Sequence, residues 1–187
     1  SAILKTALIL ELKGRDNEAL TYYKNAKDTN NPAGFIALAN YLLRKNEYDK
    51  AIGVLDEAIK SIPKNIDAME LKGRVYLLER RYKESIIIFE EIKAINPEKG
   101  LQLLITTYVA MQDYKSALKE LEDRLKLNPD RIDLMAEVSR VYVLMKDTQK
   151  AIENAKKIIS KRPDSANGYM VLSIIHESQG DLKTAID

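Results

Sequence analysis

His176 is the only imidazole in the chain, and there is no cysteine to set beside it. A structural or catalytic metal needs several soft or imidazole ligands, and a general base needs a group to orient it. His176 has neither partner in the sequence. It stands in the slot that Tyr76, Tyr108 and Tyr142 fill elsewhere, so its reading is a packing residue between helices. The carboxylate neighbours Glu90-Glu91 and Glu120 with Glu122 and Asp123 have the residue types of an acid/base pair. They lie among lysines, which is the pattern of a solvated helix face with pairs three or four residues apart. No glycine-rich phosphate loop is present; Gly14 and Gly180 sit singly in turns that call for a left-handed backbone. Met111, Met135, Met145 and Met170 follow the periodicity of the chain, as packing or groove residues would. The sequence therefore offers no catalytic residue, no metal ligand set and no cofactor site, and reads as a protein that is not an enzyme.

Thirty basic residues face 28 acidic ones, a formal net charge of +2. That balance gives no electrostatic footprint for nucleic acid. The ten tyrosines would need an accompanying basic stripe to act as base-stacking platforms. Lys or Glu interrupts every apolar run, and no stretch reaches the roughly 18 apolar residues of a membrane span, so no membrane insertion is expected. A cysteine-free chain suits cytoplasm and periplasm alike and fixes no compartment.

Glycine and proline are scarce, at 7 and 5 residues, which argues for helices joined by short turns. Self-similarity supplies their order. YDKAIGVLDEAI from Tyr48, YKESIIIFEEIK from Tyr82 and YKSALKELEDRL from Tyr114 align with TQKAIENAKKII from Thr148. The small residues in this register are Ala19, Ala51, Ser85, Ala117, Ala151 and Ala185, spaced 32, 34, 32, 34 and 34 apart. A period near 34 is the length of a helix–turn–helix repeat. Ahead of each lies a set at offsets 3, 4 and 7, one face of a helix: Phe35, Leu38–Ala39 and Leu42 in the second repeat, Met69, Gly73 and Tyr76 in the third. Pro63, Pro97, Pro129 and Pro163 close the repeats. First helices are predicted near 1–13, 33–45, 67–79, 98–111, 132–145 and 166–179. Second helices are predicted near 16–28, 48–61, 82–94, 114–126 and 148–160, with a sixth starting near 182.

These motifs resemble the tetratricopeptide repeat over essentially the whole chain. Repeat two fits best, with Phe35, Leu38, Ala39, Leu42, Ala51, Leu55, Ala58 and Pro63. The departures are Lys72 where leucine is usual, Arg124 where a small residue is usual, and the late proline of Asn30-Asn31-Pro32. The resemblance implies an all-α fold, a right-handed superhelical solenoid of antiparallel helix pairs with about five and a half repeats. It implies a single domain over 1–187, with repeats at 1–31, 32–65, 66–97, 98–131, 132–165 and a truncated 166–187. With no polar cap at either end, the chain reads as part of a longer array, and self-association through exposed solenoid ends is a further expectation.

The resemblance also implies where a partner binds: the first helices line a concave groove that takes another protein or a peptide segment. Residues five, nine, twelve and thirteen places into each repeat face it. Among them are Leu8, Ile36, Asn40, Leu43, Arg74, Leu77, Thr106, Val109, Arg140, Val143 and Ile174; Ala136 falls in the same frame. Asn40, Arg74, Thr106 and Arg140 make a polar line suited to a peptide backbone. Some family members grip a terminal carboxylate with a Lys–Asn–Asn–Lys–Arg clamp. Ile36 replaces its first lysine and Arg74 its second asparagine, which disfavours chaperone tails as ligands. A self-assembly module, or the recruiting domain of a larger protein with its catalytic part elsewhere, are the alternative functions. The register itself is testable: Ala117→Leu should overpack a helix crossing and lower stability by roughly 1–3 kcal/mol in urea denaturation.

Overall fold

The computed structural model describes residues 1–29 and 31–178. Eleven α-helices and no strand occur among them. They run α1 (Ala2–Leu12), α2 (Asp16–Asp28), α3 (Pro32–Arg44), α4 (Tyr48–Ser61), α5 (Ile66–Leu78), α6 (Tyr82–Ile95), α7 (Pro97–Ala110), α8 (Tyr114–Leu127), α9 (Ile132–Leu144), α10 (Thr148–Lys161) and α11 (Ala166–Ser178). Each lies within one residue of the helix expected from the repeat pattern. The expected second helix of repeat six, with Ala185 and Gly180, lies outside the described residues, as does Asn30.

Local chemistry sets the boundaries. Asn31, Asn65, Asn96, Asp113 and Asp147 each accept a hydrogen bond from a backbone N–H two or three residues on, so they cap α3, α5, α7, α8 and α10. The turn inside each of the first five repeats is one motif repeated. Gly14, Asn46, Arg80, Gln112 and Lys146 all have positive φ, between 58° and 73°. The following amide reaches back to a carbonyl five residues earlier, as in Arg15 N–H to Leu10 O at 2.9 Å and Arg81 N–H to Tyr76 O at 2.8 Å. Only the first of these turns uses the glycine that the conformation favours. Pro97 corrects the sequence reading. It is the first residue of α7 and does not close the preceding repeat; its missing N–H costs nothing in the first turn. Pro63, Pro129 and Pro163 do lie in turns.

The chain divides into two compact units, Ser1–Gly100 and a second from Leu101 onward. In the first, Ala7 and Leu10 of α1, Ala19 and Tyr23 of α2, Leu38, Tyr41 and Leu42 of α3 and Ala51 of α4 form one cluster. The rings of Tyr23 and Tyr41 are 5.0 Å apart, and the Tyr41 hydroxyl donates to the Asp16 carbonyl. In the second, Leu101, Ala117, Leu118, Leu121, Leu134, Val138 and Val141 pack together, and Ala151 and Ala155 meet Val171 and Ile175. The small residues of the register, Ala19, Ala51, Ser85, Ala117 and Ala151, are all 0% exposed. A β-carbon added at Gly73 would stand 2.2 Å from the Phe89 ring, so α5 and α6 touch there because the residue is glycine.

Ser85 is the exception in that column. Its hydroxyl is buried without a hydrogen-bond partner, where Ala19, Ala51, Ala117 and Ala151 carry none. A buried unmet donor costs about 1–3 kcal/mol, and alanine is also the better helix former. Ser85→Ala should raise stability by roughly 1 kcal/mol, read as a higher urea midpoint with unchanged slope. An unchanged or lower midpoint would show that the hydroxyl is satisfied in solution.

Candidate functional site

The groove positions all lie on first helices, and the turn-and-cap chemistry above fixes how those helices present them. In the first unit, α1, α3 and α5 carry Leu8, Ile36, Asn40, Leu43, Arg74 and Leu77. Leu8 and Arg74 are exposed, and the other four are half-buried. In the second unit, α7, α9 and α11 carry Thr106, Val109, Arg140, Val143 and Ile174, with Thr106, Arg140 and Ile174 exposed and the two valines half-buried. Their neighbours in sequence are core: Leu42, Val75, Tyr76, Val141 and Ile175 are buried. Leu43, Val109 and Val143 each also pack against a core cluster, so they share their surface between interior and solvent. Ala136 is a correction. It is buried beside Met135 and Ile158, where α9 meets α10. Leu12 and Leu78, at the thirteenth place, are 80% and 70% exposed.

The charges on this face are already partnered, which the sequence did not reveal. Arg44 Nε and Nη2 on α3 donate to the two carboxylate oxygens of Glu11 on α1, both at 2.7 Å. The Tyr23 hydroxyl of α2 donates to the same carboxylate at 2.8 Å. Three helices therefore meet on one side chain. The Arg44 hydrogen bonds, against burial and with help from Tyr23, hold the Glu11 carboxyl below its ordinary range. Burial first, then the bond to Glu11, push the Tyr23 phenol up to about 12. Arg74 turns one helical turn back to Glu70 at 2.8 Å, and Glu70 also receives Lys99 at 2.5 Å. Burial by itself would raise the Glu70 carboxyl; the hydrogen bonds from Lys99 and Arg74 outweigh it and lower it. Arg140 pairs with Glu137. Thr106 gives its hydroxyl proton to the Gln102 carbonyl of its own helix.

His176 is half-buried on α11, in the slot of the tyrosines. Lys72, in its aliphatic slot, extends its ammonium to Asp56 and over the Tyr76 ring. Arg124 is half-buried. Among the described residues no group of three or more His, Asp or Glu side chains could hold a metal ion, and no helix is long and apolar enough to cross a membrane.

Comparisons with known proteins agree on the kind of molecule. A family model described as tetratricopeptide repeat matches residues 36–99. A TPR repeat-containing protein of Methanocaldococcus jannaschii is 27% identical over 158 residues, 81% of this chain and 27% of its own. Anaphase-promoting complex subunit 3 of Schizosaccharomyces pombe is 28% identical over 133 residues, 69% of this chain and 20% of its own. The chain thus spans about a quarter or less of the length of these curated relatives. Among solved structures, a tetratricopeptide repeat protein from Parabacteroides merdae superposes with a TM-score of 0.62 at 18% identity, over 98% of this chain and 73% of that one.

The Glu11 contact generates a pH test. A carboxyl whose folded pKa is depressed adds stability above its unfolded value, and that stability is lost as pH falls through the folded pKa. Arg44 is half exposed, so screening limits the effect to roughly 0.5–1 kcal/mol. Glu11→Gln should lower stability by that amount at pH 7. The difference from the parent should shrink as pH drops below about 4.5 and vanish at lower pH. A constant difference across pH 3–7 in urea titrations would mean that the carboxylate charge does not matter.

Proposed function

This chain is a tetratricopeptide-repeat protein, and from that premise we propose that it is a scaffold holding a partner polypeptide against its first-helix face. Proteins built from this repeat mediate protein–protein interaction and complex assembly. The reading rests most on one observation: all eleven groove positions reach the surface, though they alternate along each helix with residues that are buried. Contiguous apolar side chains left at a surface mark an interaction site.

The ion pairs refine the chemistry of the partner. Glu11 is taken by Arg44, Glu70 by Arg74 and Lys99, and Glu137 by Arg140. A partner carboxylate would share these arginines with a carboxylate already bound, which weakens its hold. Apolar contacts with Leu8, Ile36, Leu43, Leu77, Val109, Val143 and Ile174 are left as the main source of affinity. An amphipathic helix, or an extended segment with regularly spaced apolar residues, supplies them. Binding of this kind responds weakly to salt, because little of it is Coulombic.

The test is capture of the cognate partner by paired variants. Leu43→Glu with Leu77→Glu puts two charges on the face without touching a fully buried residue, so helicity should be retained. That variant should lose partner binding by at least tenfold. Lys60→Glu on the exposed side of α4 should bind as the parent does. If the double variant keeps parental affinity while circular dichroism shows both folded, the first-helix face is not the binding surface.

A further inference from the structure

A cleft of about 280 Å³ opens in the first unit between α4, α5 and α6. It uses a different face of α5 from the groove: Met69, Lys72 and Tyr76 form its floor. Its origin is Lys72. The equivalent residues Leu38, Leu104 and Val138 are buried aliphatics. A lysine cannot leave its ammonium in that slot, so Nζ reaches out to Asp56 at 2.5 Å while the rest of Lys72 lines the cleft.

The lining is apolar within and acidic at the rim. Ile59 and Ile87 wall it, and Asp56, Glu84 and Glu91 edge it. Asp56 is paired with Lys72, and Glu84 with Arg81 at 2.9 Å. Glu91 is exposed and has no ion pair or hydrogen bond among the described residues. The mouth is also bare. Ile87 is 59% exposed. Gly53, one turn before Asp56 on α4, is exposed with nothing within 4 Å of where a β-carbon would be. Glycine in mid-helix weakens the helix and lets another backbone come close.

We propose that this cleft docks one long basic side chain, arginine or lysine, from a partner polypeptide lying across Gly53 and Ile87. The volume is below the roughly 300–1,000 Å³ of pockets for drug-sized ligands and suits a single side chain. The aliphatic stem lies along Ile59, Met69 and Ile87, and the cationic head meets the unpaired Glu91. Basic residues bury their stems in this way while keeping the charge at the surface, and arginine seated in a pocket is a recurrent anchor of interfaces. The site is independent of the first-helix face.

The probe is N-acetyl-arginine methylamide, titrated into the whole chain with the methyl groups of Ile59, Met69 and Ile87 followed by NMR. Saturable shifts confined to these methyls are expected, at least fivefold tighter than with N-acetyl-norleucine methylamide, and weakened by added salt. Glu91→Gln, an exposed change that leaves the cleft intact, should weaken binding at least fivefold. Lys72→Leu, which restores the aliphatic of the other repeats, should remove the shifts while the circular dichroism stays helical. The proposal is overturned by an absence of saturable shifts into the tens of millimolar. Equal binding of the norleucine probe, or binding that neither variant changes, overturns it as well.

Discussion

Everything in this molecule depends on two helices being able to touch at one residue. Where Ala19, Ala51, Ala117 and Ala151 lie, the second helix of a pair presents only a methyl group, and the pair closes until that methyl is inaccessible to water. Larger residues one turn on, Tyr23, Leu55, Phe89 and Leu121, then fall into the space between helices and are almost wholly buried themselves. Gly73 and Phe89 show the same constraint from the other side: the ring occupies the volume a β-carbon would need. Small and large must alternate in this order, because a packed interior tolerates neither a void nor an overlap. Repetition of the order at a period near 34 residues makes each unit a series of similar joints.

That constraint explains why helices could be read from the sequence to within a residue. A requirement for a small residue at one place, with large ones four before and three after it, leaves a periodic trace in one dimension. The intra-repeat turns left no such trace. Gly14 announces a left-handed residue; Asn46, Arg80, Gln112 and Lys146 adopt the same conformation without announcing it. Their backbone is held by hydrogen bonds to carbonyls of the preceding helix. These local helix-end bonds thus hold a conformation that costs a residue with a β-carbon about 1–2 kcal/mol. The role of Pro97 was misread for a related reason: a proline marks a helix boundary equally well from either side.

The candidate surface was legible as positions and illegible as chemistry. Register alone assigned Leu8, Ile36, Asn40 and the rest to first helices, and none of the eleven is buried. Register could not separate a groove residue from its neighbour at a helix crossing, so Ala136 was placed outward when it lies inside. Nor could it say what Arg74 and Arg140 do. A reading in one dimension treats a charged side chain as available, whereas Glu70 and Glu137 occupy these two. For the proposed partner this moves the expected contacts from a polar line toward the apolar side chains beside these ion pairs.

Those ion pairs follow a rule of their own. Arg44 with Glu11, Lys45 with Asp16, Lys27 with Glu57 and Lys161 with Asp130 are 33, 29, 30 and 31 residues apart. Each separation is close to one repeat. Pairs three or four apart stabilise a helix because helical geometry brings them together; pairs about thirty apart meet only when neighbouring repeats have stacked. Their energy, small for exposed groups, therefore belongs to the interface between repeats and not to any repeat alone. In a stack whose stability is a sum of unit and interface terms, modest interface terms set how cooperatively neighbours fold. Glu11 illustrates the gain in specificity. It collects a guanidinium from the following repeat and a phenol from its own, so sliding one repeat against the next by a single helical turn would strand a partly buried carboxylate. These contacts therefore reinforce the offset that the small-against-large packing already requires.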